Sequence, residues 1–270
     1  MTDLSYPVAQ RNALPRLTIL LTGLSAALLA LYLLLGAADP RLLDGVGVWV
    51  KPAKFAASFV LFFGTLAWLE PRLSPAWRDG RTLRLTLWVM AAAYLSEMAY
   101  MSAMAAQAQH SHFNLSTPFH AFMYTVVMAA GAVSLVAGAA VYGVVAARDR
   151  AASLSPGLRL GVVTGFVLTF ALTMIVAGYM SNAGGHFVGT PTPGAPVLPL
   201  VGWSAQVGDL RPAHFLSIHA MQALPLIGLA ADRLVPDAAR RWVVISALGY
   251  SALTLGIFAQ ALAGQPLLAL

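Results

Sequence analysis

The sequence contains seven apolar segments that are each long enough to cross a lipid bilayer as a helix. A helix rises about 1.5 Å per residue, so about 20 apolar residues span the hydrocarbon core. The segments occupy residues 16–36, 52–70, 84–106, 118–147, 158–181, 212–232 and 241–262. Within lipid every backbone polar group must be bonded internally, which restricts such segments to packed helices. We therefore predict an all-α integral membrane protein with one seven-helix domain over residues 1–270.

The composition excludes several other classes of protein. Hydrophobic residues make up 59% of the chain and charged residues 10%, whereas soluble domains are about half apolar and a quarter charged. The net charge of +6 comes mostly from arginines in short loops, which is an orientation signal and predicts no nucleic-acid partner. The absence of cysteine excludes disulfides, thiolate metal ligands and thiol catalysis.

Basic residues are divided unequally between the two sets of alternate loops. Twelve lie on the side of the N-terminus, namely Arg11, Arg16, Arg72, Arg78, Arg81, Arg84, Arg148, Arg150, Arg159, Arg233, Arg240 and Arg241. Four lie on the other side, namely Arg41, Lys51, Lys54 and Arg211. Cytoplasmic loops are enriched in Lys and Arg, so we predict a cytoplasmic N-terminus and an outer C-terminus. The Ala-rich, Arg-over-Lys composition indicates a bacterial inner membrane.

All six histidines lie in or beside loops on the predicted outer side. His120 falls just inside the fourth span, and His219 lies about two turns inside the sixth. They could face each other across the outer half of the bundle, which is the geometry that a bis-histidine haem b requires. Gln222, one turn below His219, could orient its ring. His110 has no predicted role.

Three further histidines, His112, His186 and His214, are each followed by phenylalanine. Imidazoles that converge from different segments in an apolar surround are typical of a metal site. The three imidazoles could hold Zn, Cu or Fe and leave one position open for water, and His219 is a further candidate ligand. Asn114 is predicted to support this site. The alternative is that these histidines are ordinary loop or interface residues.

Glu97 is the only acidic residue predicted deep within a span, about 15 Å from its outer end at the rise of a helix. A carboxylate at that depth is costly, so it should face the bundle interior. It shares one helical face with Met90, Tyr94, Met101 and Met104. We predict a group that transfers protons or binds a ligand. The alternative is a neutral side chain bonded to a neighbouring helix.

Lys51 and Lys54 are the only lysines in the chain, and they lie at the predicted start of a helix. A helix N-terminus carries positive partial charge, so two cations there favour the presence of an anion. Arg211 occupies a similar place beside Asp209, which either caps the next helix or supports the site. The alternative for the lysines is that their ammonium groups reach outward to the membrane interface.

The predicted outer loop 182–211 is unusually long. It contains four prolines and an apolar run from Val197 to Trp203. Long loops in compact domains are usually functional lids or disordered, and the apolar run favours a lid that lies on the membrane interface. The alternative is an ordinary surface loop.

These residues favour a haem- or metal-dependent membrane oxidoreductase with a site that faces the periplasm. The substrate would be a quinone, a lipid or a small apolar molecule from the bilayer. Glu97 would carry protons, while Lys51, Lys54 and Arg211 would bind propionates or an anionic ligand. Two alternatives use the same residues: a zinc-dependent membrane lipid hydrolase, and a proton-coupled transporter or receptor.

Overall fold

The long apolar segments form helices that cross the molecule from end to end. The computed structural model describes residues 16–269. The α-helices are α1 (Leu17–Ala38), α2 (Val50–Leu69), α3 (Pro75–Arg78), α4 (Arg81–Ala106), α5 (Pro118–Phe122), α6 (Ala129–Arg148), α7 (Pro156–Asn182), α8 (Arg211–Leu234) and α9 (Ala239–Leu262). Two 3-10 turns, Glu70–Arg72 and Pro236–Ala238, extend α2 and precede α9.

Six stretches of helix in the described residues are long and apolar enough to cross a membrane. They are Leu17–Ala38, Val50–Arg72, Pro118–Arg148, Pro156–Asn182, Arg211–Leu234 and Pro236–Leu262. The chain is thus a multi-pass helical membrane protein in contact with the lipid bilayer. The remaining predicted span, 84–106, is α4, which has 26 residues. It is less apolar because it contains Arg84 and Glu97. Arg11, used in predicting orientation, lies outside the described residues.

Helix α4 has a buried face that follows the predicted periodicity. Met90, Tyr94, Glu97, Met101 and Met104 are each at most 4% exposed. These residues recur every three or four positions, which aligns them along one side of a helix. The predicted inward orientation of Glu97 is confirmed.

Successive long helices run in opposite directions, so the loops alternate between two ends of the bundle. We call the end formed by residues 39–49, 107–117 and 183–210 the histidine end. At this end β1 (Leu42–Leu43) pairs with β2 (Val46–Gly47), and β3 (Phe187–Val188) pairs with β4 (Gly208–Asp209), both antiparallel. The long loop 183–210 is therefore closed at its base by a two-stranded sheet.

The predicted fourth span is interrupted by a segment of π-helix. Residues Met123–Met128 form this segment between α5 and α6, within the continuous helical stretch Pro118–Arg148. A π-turn widens the helix and frees backbone groups, and it often occurs at functional sites. The sequence predicted one span over residues 118–147 and gave no indication of the π-helical segment.

Candidate ligand-binding site at the histidine end

Lys51, His112, His186 and His214 lie close enough at the histidine end to interact electrostatically. Burial lowers the pKa of His112 well below its usual range, and the nearby Lys51 and His214 lower it further. Burial also lowers the pKa of His186 to about 4; Arg211 and Lys51 add to this effect, whereas Asp209 opposes it. Both imidazoles are therefore neutral near pH 7. We call these four side chains the vestibule cluster.

The members of the vestibule cluster keep part of their surface accessible. Lys51 is exposed, and the three histidines are half-buried. Burial nevertheless dominates the pKa of His112 and of His186. Each of these side chains therefore has accessible surface although protein surrounds it. Lys51 also borders a small cavity of about 30 Å³ beside Met101 and Ser111.

The loop that carries His112 is held in a strained and well-bonded conformation. Ser111 Oγ lies 3.1 Å from His112 Nδ1, and the rings of Phe55 and Tyr124 flank the imidazole. Asn114 is buried, and its Nδ2 donates to the carbonyl of His110 at 2.8 Å. Phe113 has a φ of 58°, which is rare for a bulky residue and is typical of functional loops. Asn114 thus shapes the loop that presents His112.

Two buried side-chain polar atoms lack a hydrogen-bond partner within residues 16–269: Glu97 Oε1 and His214 Nδ1. Unsatisfied buried polar atoms are uncommon in native proteins and call for an explanation, such as a bound ligand or a proton-transfer role. Both atoms belong to residues that the sequence analysis selected. This is the strongest structural indication of a functional site.

Glu97 lies against Gly131 of α6. A Cβ atom added to Gly131 would be 2.9 Å from Glu97 Oε1, so this glycine makes room for the carboxyl group. Tyr100, one turn towards the histidine end, has its Oη 2.9 Å from His120 Nδ1. Tyr100 and His120 therefore form a polar pair between Glu97 and the loops.

Lys54 and Arg211 both donate hydrogen bonds to the long loop 183–210. Lys54 Nζ donates to the carbonyl of Val201 at 2.9 Å, and Arg211 Nη2 donates to the adjacent carbonyl of Gly202 at 2.8 Å. Asp209 is buried. Its carboxylate accepts three hydrogen-bond contacts from the Arg211 guanidinium and one from each of the backbone N–H groups of Arg211 and Ser204. The loop is thus fastened to both α2 and α8.

The acidic side chains near the histidine end are each paired, whereas one basic side chain, Lys51, is not paired with any described residue. The pKa of Asp39 lies below its usual range because Arg41 and Trp49 donate hydrogen bonds to it, and Asp44 lies 3.2 Å from His110. Asp209 is paired with Arg211. In the part of the chain that the structure describes, Lys51 has neither a hydrogen bond nor an ion pair.

His219 lies two turns into α8 and takes part in a polar chain that reaches α2. Its Nδ1 is 3.2 Å from Gln222 Oε1, which is the contact predicted from their spacing. Gln222 Nε2 in turn donates to Thr65 Oγ1 at 3.0 Å. Phe215 packs on the other side of the His219 ring, with 4.4 Å between ring centroids.

The predicted cofactor sites receive different degrees of support. Across residues 16–269 no group of three or more His, Cys, Asp or Glu side chains is arranged to hold a metal ion. The prediction of a metal bound by His112, His186, His214 and His219 is therefore unsupported. For the haem pair, the contacts of His120 are with Tyr100 and Phe119, and none of the contacts found among described residues joins it to His219.

Nothing in the sequence indicated that Glu70, at the opposite end of the bundle, is a buried carboxylate. Glu70 accepts hydrogen bonds from Thr18 Oγ1 at 2.8 Å and from Tyr142 Oη at 2.9 Å. These bonds link α1, α2 and α6, so Glu70 has the contacts of a structural residue. Its position at the end of a span gave no signal in the sequence.

No protein-family model, curated protein or solved structure matches this chain, so the functional argument depends on its own residues.

Proposed function

We propose that the chain is a seven-span protein of the bacterial inner membrane, in which α4 is the seventh span. The N-terminus lies in the cytoplasm and the histidine end faces the periplasm. The protein binds a small anionic ligand at the vestibule cluster and couples binding to a proton on Glu97, as a transporter or receptor would. The observation that carries this proposal is the position of Lys51, a cation with neither a hydrogen bond nor an ion pair among the described residues, near the neutral imidazoles of His112 and His186.

The vestibule cluster has the chemistry that an anion requires. A single ammonium group provides charge, and neutral imidazoles can donate N–H groups without adding like charge. The start of α2 adds the positive partial charge of a helix N-terminus. The unpartnered His214 Nδ1 would gain a hydrogen bond on ligand binding, which removes the cost of leaving it unsatisfied.

Glu97 supplies the coupling in this proposal. A charged carboxylate in the bundle interior is costly, so the group is stable when it holds a proton and can release it only when its surroundings change. The Tyr100–His120 pair offers a route for that proton towards the periplasm. The π-helical segment Met123–Met128, next to Gly131, gives the adjacent helix a place to adjust.

Replacing Lys51 by methionine is expected to weaken anion binding about 10- to 100-fold, because a charge-assisted contact is lost. The probes are inorganic phosphate, succinate and methanesulfonate, titrated into nanodisc-embedded protein and followed by tryptophan fluorescence. Lys54→Met is the matched control, since it removes one positive charge from the same helix at a position outside the vestibule cluster. Failure of all three anions to bind the wild-type protein, or equal binding by the Lys51→Met variant, would contradict the proposal.

Glu97→Gln tests the coupling separately. Calorimetric titration of the bound anion in buffers of different ionisation enthalpy reports protons taken up or released on binding. The wild-type protein is expected to show this linkage, and Glu97→Gln is expected to bind the anion without it. Linkage that persists in the variant would assign the proton to another group.

A haem-dependent oxidoreductase is the second candidate, and the arrangement of His219 favours it. Gln222 lies within hydrogen-bond distance of Nδ1 of the ring, and a histidine that binds a metal through one ring nitrogen has such a partner on the other. We propose haem b on His219, with His120 as the second ligand if α5 moves inward. The substrate would be a quinone, a lipid or a small apolar molecule.

Under this second candidate, the purified membrane protein is expected to show a Soret absorption band that is lost in His219→Ala. His110→Ala is the control, because His110 lies in a surface pair with Asp44 and should leave the spectrum unchanged. A colourless preparation after expression with added haem precursor would rule out this candidate and leave the anion-binding proposal untouched.

A further inference from the structure

A groove of about 280 Å³ lies between α2 and α8, away from the vestibule cluster. Its walls are mainly apolar and include Leu61 and Trp68 of α2 with Pro225 and Leu226 of α8. The only polar side chains in it, Thr65 and Gln222, are bonded to each other. The volume is close to the lower limit of small-molecule pockets, about 300 Å³.

The groove opens towards lipid. Leu61 and Leu226, at its rim, are 52% and 63% exposed, and both belong to helices that are apolar enough to span a membrane. An apolar groove at this position is therefore in contact with the acyl chains of the surrounding lipids.

Two cations, Lys54 and Arg211, lie on α2 and α8 between the groove-lining residues and the loops of the histidine end. Lys54 shares a face of α2 with Leu61, Thr65 and Trp68, because the spacings of seven, four and three residues repeat the helical period. The distance from Lys54 to Trp68 along the axis is about 21 Å at 1.5 Å per residue.

Arg211 is aligned with the groove in the same way on α8. It precedes Gln222 by three helical turns, so both lie on one face. The Arg211 and Lys54 side chains meet at the adjacent carbonyls of Val201 and Gly202. Asp209 compensates one of these two charges, which leaves a net positive charge at this end. Trp203 packs edge-to-face against Phe215 there. Aromatic side chains such as tryptophan are typical of the membrane interface.

We propose that the groove binds one anionic phospholipid, with the phosphate at Lys54 and Arg211 and an acyl chain along α2 towards Trp68. The charge of Lys54 and Arg211, the apolar walls of the groove and the separation of about 21 Å between Lys54 and Trp68 match the three parts of such a molecule. A zwitterionic lipid would bring a second cation to a place that already has an excess of positive charge. The site is independent of the proposed anion site, which depends on Lys51.

Fluorescence quenching tests this proposal, because Trp68 lines the groove. The protein is reconstituted in phosphatidylcholine with a small fraction of phosphatidylglycerol or phosphatidylcholine whose acyl chains carry bromine. The brominated phosphatidylglycerol is expected to quench at about tenfold lower mole fraction, given the attraction of basic residues for anionic headgroups. In Trp68→Phe this excess quenching should disappear, which assigns it to the groove.

The two lysines form a matched pair of variants. Lys54→Met is expected to remove most of the preference for phosphatidylglycerol, whereas Lys51→Met should preserve it. The proposal is overturned if the two headgroups quench equally in the wild-type protein, or if the preference survives in Trp68→Phe. Brominated stearate that quenches as effectively as phosphatidylglycerol would show a site for free fatty acids instead.

Discussion

Gly161→Ala is expected to destabilise the protein by about 3 kcal/mol, at the upper end of the usual cost of overpacking. An added Cβ atom at this position of α7 would lie 2.4 Å from the carbonyl oxygen of Leu224 in α8. The obstructing atom belongs to the backbone and cannot rotate away, so the two helices must separate. The midpoint of thermal unfolding in detergent measures the effect.

The physical basis is the close packing of α7 and α8. Gly157, Gly161 and Gly165 recur every four residues along α7, and each would clash with the backbone or side chains of α8 if it carried a Cβ atom. Small residues at this spacing allow transmembrane helices to approach closely. His214 and His219 both lie on α8. Separating α7 from α8 would therefore also displace these two histidines.

Gly178→Ala is the matched control on the same helix. Its added Cβ atom meets no other atom within 4 Å, and alanine is the better helix former by about 1 kcal/mol in soluble helices. We expect an unchanged or slightly raised unfolding midpoint. Equal losses in both variants would show that α7 and α8 do not pack as described.

The sequence was sufficient for features that depend on local pattern. Long apolar runs identified the helices, and the periodicity of α4 identified its buried face with Glu97. The spacing of His219 and Gln222 predicted their contact, because residues one turn apart on a helix are neighbours. These features need no knowledge of how the helices are arranged.

Features that depend on tertiary contacts could not be predicted from the sequence. The buried bonds of Glu70 join three helices, and the widened turn at Met123–Met128 has no distinctive residues in the sequence. The His-Phe repeats predicted a metal site, whereas in the structure the rings of Phe55 and Tyr124 flank His112 and Lys51 lies near it. Helix packing decides which loops meet at the end of a bundle. No local pattern in a single sequence predicts this arrangement.

Asp209→Asn is expected to release the long loop 183–210 and to cost about 3 kcal/mol, because breaking a buried ion pair leaves the remaining charge uncompensated. The Asp209 side chain has 0% exposure and contacts the Arg211 guanidinium at 2.6 Å. It also orders the loop through the backbone N–H of Ser204 at 2.8 Å. An amide has no charge and one acceptor oxygen, so it cannot maintain all of these bonds. Faster hydrogen exchange within the loop measures its release.

The effect should extend from the loop to the vestibule cluster. Leu210, next to Asp209, donates its backbone N–H to the carbonyl of His186 at 2.9 Å, so loosening this segment frees His186 as well. Asp79→Asn is the matched control: the Asp79 side chain is 63% exposed in its pair with Arg78, and exposed pairs contribute at most about 1 kcal/mol. If Asp209→Asn leaves hydrogen exchange in the loop as slow as Asp79→Asn does, the loop is held by Lys54 and its own sheet, and the ion pair is not its fastening.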